Sequence, residues 1–216
     1  MAGCSDLTEG AGGVVELELR VPAVTALEVG ESVQLSARAL GSDGNAVDVP
    51  ISWRSSDPSL AVDETGLVTG VAPGSGQVQA FAGSLASGQV PLQVIARADT
   101  LVLVGDSVII VPTEAAASAP LVVQLRSFAL GDPLPSRPVV YTVIYPEQLP
   151  VRTVELPGAV LVDTVSTGTN GLIETVTLNR IAGAAAPDTA IVHVRSYRSS
   201  GADVPGSGQR FIVLFQ

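Results

Sequence analysis

The residues best able to do chemistry are few. The chain of 216 residues holds one histidine, His193, and one cysteine, Cys4. A zinc centre needs several His or Cys ligands converging on one point, and the composition does not supply them. A Ser-His-Asp relay would need His193 beside a serine and a carboxylate, and no GxSxG elbow is present. In IVHVRSY, His193 shares a face with Arg195 and Tyr197, opposite Val192 and Val194, as an exposed strand residue does. Five carboxylates crowd one stretch, at Asp43, Asp48, Asp57, Asp63 and Glu64. Calcium takes about six to eight oxygens from converging loops, whereas Asp43-Gly44-Asn45 reads first as a hairpin turn. The glycine-rich strings APGSG and VPGSG lack the lysine and the following helix that cradle phosphate. The expectation is a chain that is not an enzyme, with no cofactor and no metal.

The elements that carry these residues are strands. Hydrophobic residues make up 46% of the chain and aromatic ones only 4%, so the core must be Val, Leu, Ile and Ala. Charged residues are 15%, the net charge is −10, and all basic residues are arginine. An acidic chain without a basic cluster repels phosphate, which argues against nucleic acid and against adsorption to anionic lipid heads. A single cysteine forms no internal disulfide, so burial alone must hold the fold. The most apolar stretch, residues 101–125, is interrupted by Asp106, Pro112, Glu114 and Pro120, which suits strands and turns better than a membrane span.

Apolar residues alternate in short runs. Val33, Leu35, Ala37 and Ala39 share one parity, as do Val90, Leu92 and Val94, and Leu121, Val123 and Leu125. PVVYTVIYP, TAIVHVRSY and RFIVLFQ are further runs. Pro91 within its run predicts an edge strand. Turn signals separate the runs: GSDGN, SSDP, DETG, APGSG, FALGDPLP, TGTNG and VPGSG. Many short strands between turns predict an all-β fold of two sandwiches. The expected divisions are a tail at 1–13, a first domain at 14–96 and a second at 97–216.

The string LEVGESVQL followed by ISWRSSDPSLAVDETGLVTGVAPGSGQVQA resembles the bacterial immunoglobulin-like group 2 family, over about residues 14–95. The matching residues include Gly30, Glu31, Leu35, Trp53, Ser55, Ser56, Pro58, Gly66, Leu67, Val68, Thr69, Gly70 and Gly74. Trp53 is expected at the centre of that sandwich. The second module is a looser match. LVVQLRSFALGDPLPSRPVVYTVIY and STGTNGLIETVTL resemble group 1, or invasin-type, domains, with Asn170 and Gly171 in the later turn. It departs from that pattern in a Pro-rich insertion near residues 146–158. The resemblance implies two tandem immunoglobulin-like β-sandwiches in an exported bacterial protein that acts as a spacer, stalk or accessory module.

Ala2-Gly3-Cys4-Ser5 resembles the end of a bacterial lipoprotein signal, in which the cysteine is lipidated. The polar residues after Cys4 suit a tether. Such a signal carries an apolar segment ahead of the cysteine, so a start upstream of Met1 is expected. Within the insertion, Leu149, Val151 and Leu156 lie among three prolines and follow Tyr141, Ile144 and Tyr145. These are the expected partner-binding residues. The expected function is a non-catalytic scaffold or accessory subunit on the periplasmic or cell-surface face of a bacterial membrane. Its partners would be protein subunits of a larger membrane-bound assembly, secretory, respiratory or photosynthetic, and the membrane itself through the lipid. The alternative is a cell-surface adhesin or polysaccharide-binding lipoprotein.

Overall fold

β-Branched residues supply the strands, and Gly, Pro, Asp and Asn interrupt the chain every few residues. The structure is a computed structural model that describes residues 13–21, 23, 26–127, 133–147, 152–185 and 187–216. No helix occurs among them, so none there is long and apolar enough to cross a membrane. The chain divides into two compact units, Met1–Ala96 and Arg97–Gln216.

The first unit contains β1 (Val14–Arg20), β2 (Ala26–Glu28), β3 (Ser32–Gln34), β4 (Ser36–Gly41), β5 (Ser52–Ser55), β6 (Leu60–Val62), β7 (Leu67–Gly70), β8 (Gly74–Ala82), β9 (Leu85–Ala86) and β10 (Val90–Ile95). One sheet runs β2-β10-β8-β5, with β9 attached to β8. The opposing strands are β3-β7-β6 and the β1-β4 pair. β1 pairs antiparallel with β4, while β2 runs parallel to β10, so the opening segment serves both layers. Leu35, Leu60, Val68, Val78, Val90, Leu92 and Val94 form one core cluster, and Val14, Leu17, Ala39 and Ala82 a second.

Two sequence expectations need correction here. Trp53 is half-buried at the flank of the first cluster, not at its centre. It lies on β5, the last strand of its sheet, so part of its ring has no strand to cover it. Pro91 lies on an inner strand, between β8 and β2. The ladder tolerates it for a local reason. Opposite Pro91 stands Gln77, which commits its N–H and C=O to Ser56. The proline nitrogen therefore faces the other side, where pairing with β2 begins only at Gln93.

The second unit contains β11 (Thr100–Leu103), β12 (Val108–Val111), β13 (Val123–Arg126), β14 (Pro138–Tyr145), β15 (Val154–Glu155), β16 (Val162–Ser166), β17 (Leu172–Ile173), β18 (Asn179–Arg180), β19 (Thr189–Ser196) and β20 (Gln209–Phe215). Its main sheet runs β12-β20-β19-β14-β16, facing β11-β13-β17 and the β15-β18 pair. Again the opening segment serves both layers: β11 pairs antiparallel with β13, and β12 runs parallel to β20. The core includes Leu101, Leu121, Val123, Leu125, Val139, Tyr141, Ile173, Val192, Phe211 and Val213. The Tyr141 hydroxyl donates to the Leu121 carbonyl at 3.0 Å. Burial, with the nearby Asp163 charge, raises the pKa of that phenol far above its ordinary value.

The units share a local hydrogen-bond signature. In the first, Leu35 N–H donates to the Gly66 carbonyl at 3.0 Å, and the Gln34 amide to the Thr65 carbonyl at 2.8 Å. In the second, Leu125 N–H donates to the Gly171 carbonyl at 3.0 Å, and the Gln124 amide to the Asn170 carbonyl at 3.0 Å. Both glycines have positive φ, 84° and 71°. A Gln-Leu strand thus meets a turn ending in Gly-Leu twice. Both units are immunoglobulin-like β-sandwiches, arranged in tandem along the chain.

Candidate functional site

The acids that could have gathered around a cation instead close turns. Asp43 accepts from the Asn45 N–H at 3.0 Å and from its side-chain amide at 2.7 Å. Asp57 accepts the Ser59 N–H at 2.8 Å. One oxygen of Asp63 takes the Thr65 N–H at 2.8 Å, the Thr65 hydroxyl at 2.7 Å and the Leu67 N–H at 3.0 Å. These bonds favour the ionised form, so all three carboxyls sit below their ordinary value; the largest causes are the Asn45, Ser59 and Thr65 side chains. Among the described residues no group of three or more His, Cys, Asp or Glu comes together. His193 stands half-buried on the outward side of β19, between Arg210 on β20 and Thr142 on β14.

Cys4, Leu149 and Val151 lie outside the described residues. Leu156 is a correction. It is fully buried, and so is Tyr141, so neither is displayed for a partner. Val154 and Glu155 pair with Arg180 and Asn179, and Leu156 N–H donates to the Val160 carbonyl at 2.8 Å. The end of the Pro-rich insertion is thus a hairpin folded onto its own sandwich. Burying such a leucine is worth about 1.5–3 kcal/mol, which decides the matter in favour of the core.

A contiguous displayed apolar surface lies on the outward face of the second unit's main sheet. Val108, Ile212, Ile191 and Tyr145 stand in one row across four strands, by direct register. Ile110 and Leu214 form the next row, and Ile144 lies in the bulge beside Tyr145. Val108 is 46% exposed, Ile110 56% and Tyr145 51%. On the other side of the row come Arg210, His193, Thr142 and Val162, then Arg195, Val140 and Thr164. Arg195 lies 4.0 Å from Asp203. The face is therefore an apolar band with a basic border.

The corresponding sheet of the first unit is different. Its outward residues are Pro91 opposite Gln77, Gln93 opposite Ser75, Arg54 opposite Gln79 and Ser52 opposite Phe81. The guanidinium of Arg54 covers Phe81, 4.9 Å from the ring centre. A shallow groove of about 430 Å³ there is lined mainly by Ser56, Ser75, Gln77, Pro91 and Gln93. One fold thus carries a polar face in the first unit and an apolar face in the second. Sandwich stability needs only the inward faces apolar, so the second unit's outward band asks for another cause. Its sequence signal was the run FIVLF, apolar at both parities, beside VIIV and AIV.

Residues 20–94 match the family model of the bacterial Ig-like domain (group 2), so a domain of that family is present there. No curated protein matches the chain. Among solved structures, the adhesin InvE of Yersinia pseudotuberculosis is similar at 16% identity, over 96% of this chain and 61% of that one, with a TM-score of 0.45. The fibronectin(III)-like modules of Clostridium thermocellum CbhA align at 15% identity, over 93% and 94% of the two chains, with a TM-score of 0.42. Domains 4 and 5 of the S-layer protein SbsC align at 19% identity, over 94% and 98%, with a TM-score of 0.35. The chain spans 61% of the length of the adhesin chain.

Proposed function

We propose that the chain is a non-catalytic accessory module on the outer or periplasmic side of a bacterial membrane, tethered through a lipid on Cys4. Its second unit, taken as an invasin-type domain, docks onto a protein subunit of a larger membrane-bound assembly. The observation that carries this reading is the row Val108, Ile212, Ile191 and Tyr145, apolar where the first unit's sheet is polar. The group 2 domain at residues 20–94 supports a spacer role for the first unit. Arg210 and Arg195 at the border of the band suit a partner that presents acids beside an apolar patch.

The test is co-purification from native membranes in gentle detergent, with wild type and with the variant Tyr145→Ser, Ile191→Thr, Ile212→Thr. Threonine keeps the β-branched shape the strand prefers. Ile191 and Ile212 are already half-buried and Tyr145 is 51% exposed, so completing their burial on docking is worth about 2 kcal/mol, or roughly thirtyfold in affinity. The partner subunits should be lost while the melting temperature stays close to that of wild type. Undiminished co-purification of the variant would sink the docking face. The tether is checked by intact mass of the native protein, which should show an acylated Cys4 at the N-terminus. A free Cys4 thiol in the native protein would remove that part.

A further inference from the structure

The second unit's main sheet ends in an uncharged edge strand, β12. Among the described residues β12 ends the strand order and pairs with β20 alone, in parallel. Ile212 N–H donates to the Ser107 carbonyl and Gln216 N–H to the Val111 carbonyl. In a parallel ladder alternate residues turn to the same neighbour. Ser107, Ile109 and Val111 therefore face β20, while the N–H and C=O groups of Val108 and Ile110 face away from it. Natural sheets blunt such edges with charges, prolines or bulges. The edge strand β16 carries Asp163, whereas β12 reads VIIV with no charge, proline or bulge. Alongside it runs a groove of about 450 Å³, lined by Val104, Gly105, Asp106, Ala119 and Pro120 together with Val108, Ile109 and Ile110.

We propose that β12 is a self-pairing edge through which two copies of the chain join antiparallel. Centred on Ile109, a two-fold axis sets Val108 against Ile110 of the second copy, and Ile110 against its Val108. Those are the residues with outward N–H and C=O groups, so the pairing makes four backbone hydrogen bonds. Ile109, half-buried on the inward side, meets its own counterpart over the groove. The outward side chains of Val108 and Ile110 from both copies come side by side, which extends the apolar band across the joint. Electrostatics do not oppose the pairing. In this register Asp106 faces Pro112 of the second copy, and no two like charges stand opposite within the strand. After residue 96 the chain has eight of its eleven arginines and ten of its twenty-one acids, so this part carries only −2 of the net −10. A second copy is therefore a better occupant than an unrelated strand, whose register nothing would select.

This inference does not depend on docking to a membrane assembly, and the two fail separately. The experiment is sedimentation velocity of the full chain without partners, at rising concentration up to about 100 µM. Wild type should pass from monomer to dimer. Ile110→Pro removes an N–H that the monomer's ladder does not use, so the fold should stand and dimer formation should weaken at least tenfold. Ile110→Lys is the second variant, placing a charge on the edge without altering backbone bonding, and should do the same. A chain that stays monomeric at the highest concentration overturns the proposal. So does a dimer that both variants leave intact. A dimer broken by Ile191→Thr with Ile212→Thr, yet indifferent to both Ile110 variants, would place self-association on the sheet face and overturn the edge.

Discussion

Replacing Gly66 with alanine tests how the first unit is held. Gly66 has φ of +84°, and a Cβ there would lie 2.7 Å from Trp53 Cε2, 2.8 Å from Trp53 Cζ2 and 2.8 Å from the Leu35 carbonyl oxygen. The left-handed backbone costs an L-residue about 1–2 kcal/mol. The steric conflict adds about 1–3 kcal/mol, as overpacking does in a filled core, because one obstacle is backbone and the other a ring held against the core cluster. The total, about 2–5 kcal/mol, is a large share of a small domain's stability of about 5–15 kcal/mol. For a unit of this size, about 2–5 kcal/mol lowers Tm by roughly 10–40 °C. Trp53 is the only tryptophan, so fluorescence melting reads this unit alone. Gly44→Ala is the control. It also has positive φ, 76°, but a Cβ there meets nothing within 4 Å, so it bears only the backbone cost. A Gly66→Ala protein melting level with Gly44→Ala would refute the packing half of the argument. One melting level with wild type would refute both halves.

Two other perturbations have defined outcomes. Leu156→Ala should destabilise the second unit by about 2–5 kcal/mol in urea titration followed by circular dichroism, because the side chain is fully buried. Unchanged stability would return that residue to the surface. The carboxyls of Asp43, Asp57 and Asp63 are held below their ordinary 3.8 in the folded state. Depressed groups of this kind stabilise above the unfolded value and lose that stabilisation as pH falls through the folded one. The Tm read from Trp53 should therefore be flat down to about pH 5 and drop below about pH 4. Asp63→Asn should start lower at neutral pH and fall less on acidification, and an unchanged acid slope would reject the role given to Asp63.

The sequence alone determined the all-β class, the immunoglobulin-like character of the first unit and the turns. Period-two alternation and turn residues act over four or five neighbours, so they are legible without a fold. Asp63 and Thr65-Gly66 closed the turn their order suggested, and Asn170-Gly171 did the same in the second unit. Tertiary structure decided which apolar residues are covered. FIVLF is apolar at both parities, and period two cannot say which face turns inward. Phe211, Val213 and Phe215 turned in because the opposing layer of β11, β13 and β17 lies on that side, leaving Ile212 and Leu214 outward. Leu156 went inside because β15 meets β18, about two dozen residues later in the chain. The parallel pairing of β12 with β20 joins residues about a hundred positions apart. Local pattern carries no information about such partners, since backbone pairing is generic and its choice is made by whole layers closing over a core. The free edge of β12 and the apolar band beside it exist only once that choice has been made.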